Sequence, residues 1–130
     1  MDLTVKEGNA LFFRYLRPSA RARDSSGYEY VTGISNLGGV VFAINLDYTN
    51  RTISIGVSVC SNKENFSKDK GRLISLYRLE NDPYVFDLDY FYIDKCRSTL
   101  ERLYNLLQQI PSIPGNKGMR AILLERCEVV

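Results

Sequence analysis

The chain of 130 residues contains no histidine. Ser–His–Asp and Cys–His mechanisms are therefore excluded within one polypeptide. So are most proton shuttles poised near neutral pH, because imidazole is the side chain whose ordinary pKa lies there. Cysteine is scarce and scattered: Cys60, Cys96 and Cys127 are odd in number, far apart, and form no CxxC. Without imidazole to complete a ligand set, no zinc site is expected. Each thiol reads as a small apolar core residue, since a reactive thiolate needs a neighbouring cation or imidazole. No run of eighteen apolar residues exists, so no membrane span is expected. Met1 to Leu11 carries Asp2 and Glu7 and lacks the long apolar centre of a signal peptide. The protein is therefore expected to stay in the cytoplasm of the cell that makes it. The P-loop ending GK[ST] and the dinucleotide fingerprint G-x-G-x-x-G are both missing. Charge of one sign is also missing: a net charge of +2 and a pI near 8.4 fall short of a plainly basic duplex binder.

What is present is ordinary globular material, 45% hydrophobic and 25% charged. A single domain spanning residues 1–130 is expected, because a chain of this size buries roughly two-thirds of its unfolded surface without staples. Leu3 to Leu16 has no clean period and reads as a short helix or a first strand. Arg14, Arg17, Arg21 and Arg23 surround Pro18 and lead into Ser25-Ser26-Gly27, which reads as a basic exposed loop. Those arginines would neutralise phosphates, or simply solvate a surface loop. From Tyr28 to Ile34 the pattern turns to period two. Val40–Tyr48 and Arg51–Cys60, joined by Thr49-Asn50, have the spacing of an antiparallel hairpin. Ile53, Ile55, Val57 and Val59 form its core face; Thr52, Ser54, Gly56 and Ser58 form a small polar one.

A polar turn, Ser61 to Phe66, follows, and Ser67 caps a helix from Lys68 to about Leu79 with Leu73, Ile74, Leu76 and Tyr77 on one apolar stripe. Asn81-Asp82-Pro83 ends it. Tyr84–Tyr92 alternates as a strand. Asp94 caps a second helix, Lys95–Gln109, whose apolar residues at three-four spacing face either the domain's own sheet or a partner helix. Pro111 stops that helix, Pro114-Gly115-Asn116 is a turn, and Met119–Val130 is a last strand. The expected fold is α+β, an antiparallel sheet with an N-terminal β-hairpin region and two helices packed on or beside it.

Chemistry concentrates in Cys60 to Arg78, where Lys63, Lys68, Lys70, Arg72 and Arg78 outnumber Glu64 and Asp69. A helix N-terminus presents unpaired N–H groups and partial positive charge. Cations are unfavourable there, so Lys68 and Lys70 call for an anionic ligand. Lys68 and Arg72 share a helix face at i and i+4. Phe66 either stacks on a base or staples the turn to the core. The same run would also serve as an ordinary solvated helix face. Asp87, Asp89 and Asp94 form a weaker candidate, a magnesium or acid–base site, against a solvent-facing strand edge.

The thirteen residues Cys60-Ser61-Asn62-Lys63-Glu64-Asn65-Phe66-Ser67-Lys68-Asp69-Lys70-Gly71-Arg72 resemble a segment, C-x-x-K-[DE]-x-F-S-K-x-x-G-R, of small phage proteins that counter bacterial defence. The type they are most similar to is the first described class of Thoeris anti-defence sponge. The resemblance covers this segment and the order of elements. It implies a chain of similar size combining an antiparallel sheet with helices. It also implies an oligomer that sequesters cyclic ADP-ribose-type signals between protomers without cleaving them, in the host cytoplasm. Lys63, Lys68, Arg72 and Arg78 would then meet phosphate and Phe66 the base; with Asn65 they complete the candidate ligand-binding set. No catalytic residue, metal or cofactor is expected. The competing expectations are an inhibitor that docks on a host complex by protein–protein binding, a nucleic-acid accessory domain, and a carboxylate- or metal-based enzyme.

Overall fold

The computed structural model describes residues 8–88 and 127–129. The β-branched runs at its centre form the expected hairpin. Strand β3 (Leu37–Asp47) pairs antiparallel with β4 (Thr52–Asn65), with Phe42 opposite Val57 and Ile44 opposite Ile55. In the turn between them, the Asp47 carboxylate accepts from the Asn50 amide at 3.0 Å and from its side chain at 2.8 Å. Those bonds hold the Asp47 carboxyl below its ordinary pKa. On the far side of β3 lies β1 (Asn9–Arg23), and on the far side of β4 the short β5 (Tyr84–Asp87).

The N-terminal segment thus corrects the sequence reading. Residues 14–23 are not a loop: β1 runs unbroken for 15 residues and serves several partners in succession. Asn9–Leu16 pairs with β3, Leu16–Pro18 with β6 (Cys127–Val129), and Ser19–Arg23 with β2 (Glu29–Ile34). Proline is tolerated in β1 because it forfeits only one donor, and its carbonyl still accepts from the Ser35 amide at 2.8 Å. The β1–β2 ribbon turns on Asp24, whose carboxylate accepts from Ser26 and from the Tyr28 amide.

Strict alternation gives the sheet two unlike faces. One carries the core: Phe12, Leu16, Val40, Phe42, Ile44, Leu46, Ile53, Ile55 and Val57, with Leu88 beside them. Each large side chain buried there contributes about 1.5–3 kcal/mol. The other face, with Ser54, Gly56 and Ser58 at its middle, receives the helix α1 (Lys68–Asn81). Its N-cap is Ser67, whose side chain accepts from the Lys70 amide at 3.2 Å. It ends at Asp82, ahead of Pro83, as the sequence requires.

Of the stripe expected of it, the helix half-buries Ile74 and Leu76 and leaves Leu73 and Tyr77 exposed. Its buried residues are Gly71 and Ser75, whereas Leu73 and Tyr77 are 71% and 67% exposed. The sheet beneath presents small residues, so the backbones approach closely. A Cβ on Gly56 would stand 2.0 Å from the Ser75 carbonyl oxygen, and one on Gly71 would stand 2.5 Å from a Val41 methyl. Small residues at this interface are the condition for contact.

Among the described residues there is one helix, so the fold there is an antiparallel sheet with a helix on one face. The second helix expected at Lys95–Gln109, Asp89 and Asp94, the turn at 114–116 and most of the last strand lie outside the described residues. No helix among the described residues is long and apolar enough to cross a membrane.

Candidate anion-binding cleft

The segment Ser61–Asn65, expected as a free turn, belongs to β4 and arches out of its ladder. Cys60 pairs with Gly39 and Asn65 with Leu37, so five steps along β4 cover two along β3. Such a bulge bends the strand and re-aims the residues beyond it. The Cys60 thiol sits under the arch with the carbonyl oxygens of Ser61, Glu64 and Asn65 at 3.5–3.7 Å, three alternative acceptors for its single hydrogen. Burial and then the Glu64 carboxylate push this thiol above its ordinary pKa, so it is a structural group and a poor nucleophile.

The arch delivers Phe66 to a fixed place. Its amide donates to the Asn36 carbonyl at 2.9 Å, tying the end of β4 to the link between β2 and β3. The Phe66 ring then lies over the Gly39 backbone, where a Cβ would meet the ring at 2.8 Å. Gly39 also adopts φ +152°, a conformation that L side chains rarely occupy. On that ring stacks the Arg17 guanidinium, 3.9 Å from the centroid, with Nη2 donating to the Ser35 carbonyl at 2.8 Å. Burial presses the Arg17 pKa below its ordinary value, yet a guanidinium remains charged at any physiological pH. Its Nε is buried with no hydrogen-bond partner among the described residues.

Opposite stands the first turn of α1. Lys68 Nζ lies 4.8 Å from the centroid of the Tyr15 ring. One turn later Arg72 donates from Nε to the Tyr15 hydroxyl and lies over the rings of Phe13 and Tyr15 at 5.2 and 5.7 Å. Tyr15, Arg17, Asn36, Asn65, Phe66 and Lys68 together line a cleft of about 580 Å³, within the usual size range for small-ligand sites. No acidic residue among the described residues lines it. Elsewhere on β1, Arg21 and Arg23 each pair with Glu29 at 3.6 Å. Arg17, Lys68 and Arg72 therefore meet aromatic faces, and no carboxylate among the described residues neutralises them.

Of the six residues singled out from sequence, Asn65, Phe66 and Lys68 line this cleft, and Arg72 adjoins it through Tyr15. The remaining two lie elsewhere. Arg78 turns under the helix, where Nη1 donates to the Val57 carbonyl at 2.7 Å, which makes it part of the helix–sheet joint. Lys63 is exposed on the arch and is not among the lining residues. Sequence reasoning missed Tyr15 and Asn36 and left Arg17 within the arginine cluster, apart from the main candidate set, because these residues join the cleft only through strand pairing. The arginine cluster was the signal for Arg17. Of its members Arg17 alone enters the cleft: Arg14 folds over Phe12 at 4.8 Å, and Arg21 and Arg23 flank Glu29. Asp87 is exposed on β5, and no cluster of three or more metal-binding side chains occurs among the described residues. Comparison of the chain with protein families, with curated proteins and with solved structures finds no significant match.

Proposed function

We propose that the protein binds and sequesters a small anionic nucleotide signal, of the cyclic ADP-ribose type, without transforming it, and so blocks immune signalling in a host cell. The observation that carries this reading is the cleft whose cations, Arg17, Lys68 and Arg72, lack carboxylate partners among the described residues while two aromatic rings stand beside them. Phosphate satisfies unpaired guanidinium and ammonium groups through charge-assisted bonds, Arg in bidentate fashion. A base stacks on an aromatic or guanidinium plane. The unpaired amides at the start of α1 add to the same field. In this reading the protein acts in the cytoplasm as a homo-oligomer. No membrane or nucleic acid takes part.

Calorimetric titration with cyclic ADP-ribose and its isomers tests the assignment. Arg17→Ala and Arg72→Ala are each expected to weaken binding by roughly tenfold or more, the effect of losing a hydrogen bond to a charged group. Arg78→Ala is expected to lower stability by about 1–3 kcal/mol, because the Val57 carbonyl loses its partner, and to leave affinity unchanged. Wild-type affinity in Arg17→Ala would contradict the site.

A second reading, inhibition of a host complex by protein–protein binding, draws on a different observation. Leu73 and Tyr77 stand exposed at i and i+4 on α1, and Tyr30, Val31 and Ile34 stand exposed on β2. It requires a stable macromolecular complex that survives Arg17→Ala and ignores nucleotides.

A further inference from the structure

Tyr15 holds a position in the cleft that no cation alone could supply. Its ring is 7% exposed on β1, beneath the ammonium of Lys68 at 4.8 Å. Its hydroxyl oxygen accepts from Arg72 Nε. A phenol has one hydrogen to give as well as lone pairs to receive with. With a lone pair engaged by Arg72, that hydrogen has no acceptor among the described residues, and Tyr15 lines the cleft.

Arg72 depends on this contact for its place. The side chain leaves an exposed position one turn into α1, where a guanidinium is otherwise free to sample many rotamers. The Tyr15 hydroxyl fixes Nε, and the rings of Phe13 and Tyr15 lie beneath the guanidinium plane at 5.2 and 5.7 Å. Anchoring Nε leaves the terminal amino groups to meet an oxyanion. Lysine has no equivalent donor fork, so charge at residue 72 is not enough.

We propose that Tyr15 is the positioning and recognition residue of the cleft. It orients Arg72 by accepting from Nε, and it donates its own hydroxyl hydrogen to an oxygen of a bound phosphate. The proposal rests on the anion-binding reading of the cleft and assigns a specific donor within it. Because the phenol both receives from the cation and gives to the anion, its removal costs two contacts at once.

Inorganic pyrophosphate, titrated into the full chain by calorimetry and by near-ultraviolet difference spectroscopy, is the test. Wild-type protein is expected to bind it and to show a tyrosine difference signal on saturation. Tyr15→Phe keeps the ring under Lys68 and is expected to bind roughly tenfold or more weakly, as for loss of a hydrogen bond to a charged partner. It is also expected to lose the difference signal, a readout that a merely structural role would not move. Arg72→Lys, at a partly exposed position of the helix, is expected to show the same loss of affinity although charge is retained. Wild-type affinity in either variant, or a difference signal that persists in Tyr15→Phe, overturns the role of Tyr15 while leaving the cleft intact. Failure of the wild-type protein to take up pyrophosphate or any nucleotide refutes the cleft reading, and the role of Tyr15 with it.

Discussion

Gly39 shows how much of the cleft depends on an atom that is missing. Its φ of +152° and the Phe66 ring above it leave no room for a methyl group, since a Cβ would lie 2.8 Å from the ring and 2.9 Å from Arg17 Cδ. Gly39→Ala is therefore expected to cost about 1–3 kcal/mol through backbone strain and overpacking. It should also prise apart the stacked Phe66–Arg17 pair. Thermal melting checks the first effect and nucleotide titration the second; a variant with wild-type melting temperature and affinity would show that the ring does not rest there. The contrast between Arg72 and Arg78 belongs to the same scale. Two arginines on one helix have different work because the sheet offers one a phenol and the other a strand carbonyl.

At the level of the elements, the helix–sheet joint governs where the site's cations stand. Lys68 and Arg72 reach Tyr15 only because α1 lies close against β3 and β4, and that closeness depends on Gly56 and Gly71. Gly56→Ala places a methyl 2.0 Å from the Ser75 carbonyl oxygen and 2.5 Å from the Leu79 nitrogen, backbone atoms that cannot move aside. It is expected to destabilise the protein by about 1–3 kcal/mol or more, and to weaken ligand binding without touching the cleft. A denaturant titration showing no loss would refute this packing.

The sequence announced the elements whose residues interact locally. The β3–β4 hairpin is written in its alternation, and α1 in Ser67 and Pro83. It concealed what depends on partners far along the chain. The mixed run Phe12–Arg23 has no period-two signature, because both of its faces are partly buried and it changes partner midway. Polar Ser61–Asn65 looked like a turn because a bulge and a turn use the same residues. Leu73 and Tyr77 looked like a core stripe, whereas close approach of two backbones favoured Gly71 and Ser75. The candidate site was half legible for the same reason. Phe66, Lys68 and Arg72 lie within one short segment, but Tyr15 and Arg17 join them only through strand pairing.

At the scale of the molecule, the described residues form an apolar sheet face that carries the core, and an opposite face where a helix leaves a cationic, aromatic-walled cleft at one end. A net charge of +2 hides this, because Arg21 and Arg23 flank Glu29 while Arg17, Lys68 and Arg72 meet no carboxylate among the described residues. The central claim is that this cleft retains a small anionic nucleotide intact. Native mass spectrometry of the protein mixed with cyclic ADP-ribose and its isomers tests it most directly, because one spectrum reports subunit number, ligand mass and ligand integrity. The expected result is an oligomer carrying at least one nucleotide of unaltered mass, lost in the Arg17→Ala variant. An apo spectrum for every isomer, or a nucleotide recovered in hydrolysed form, would contradict the account.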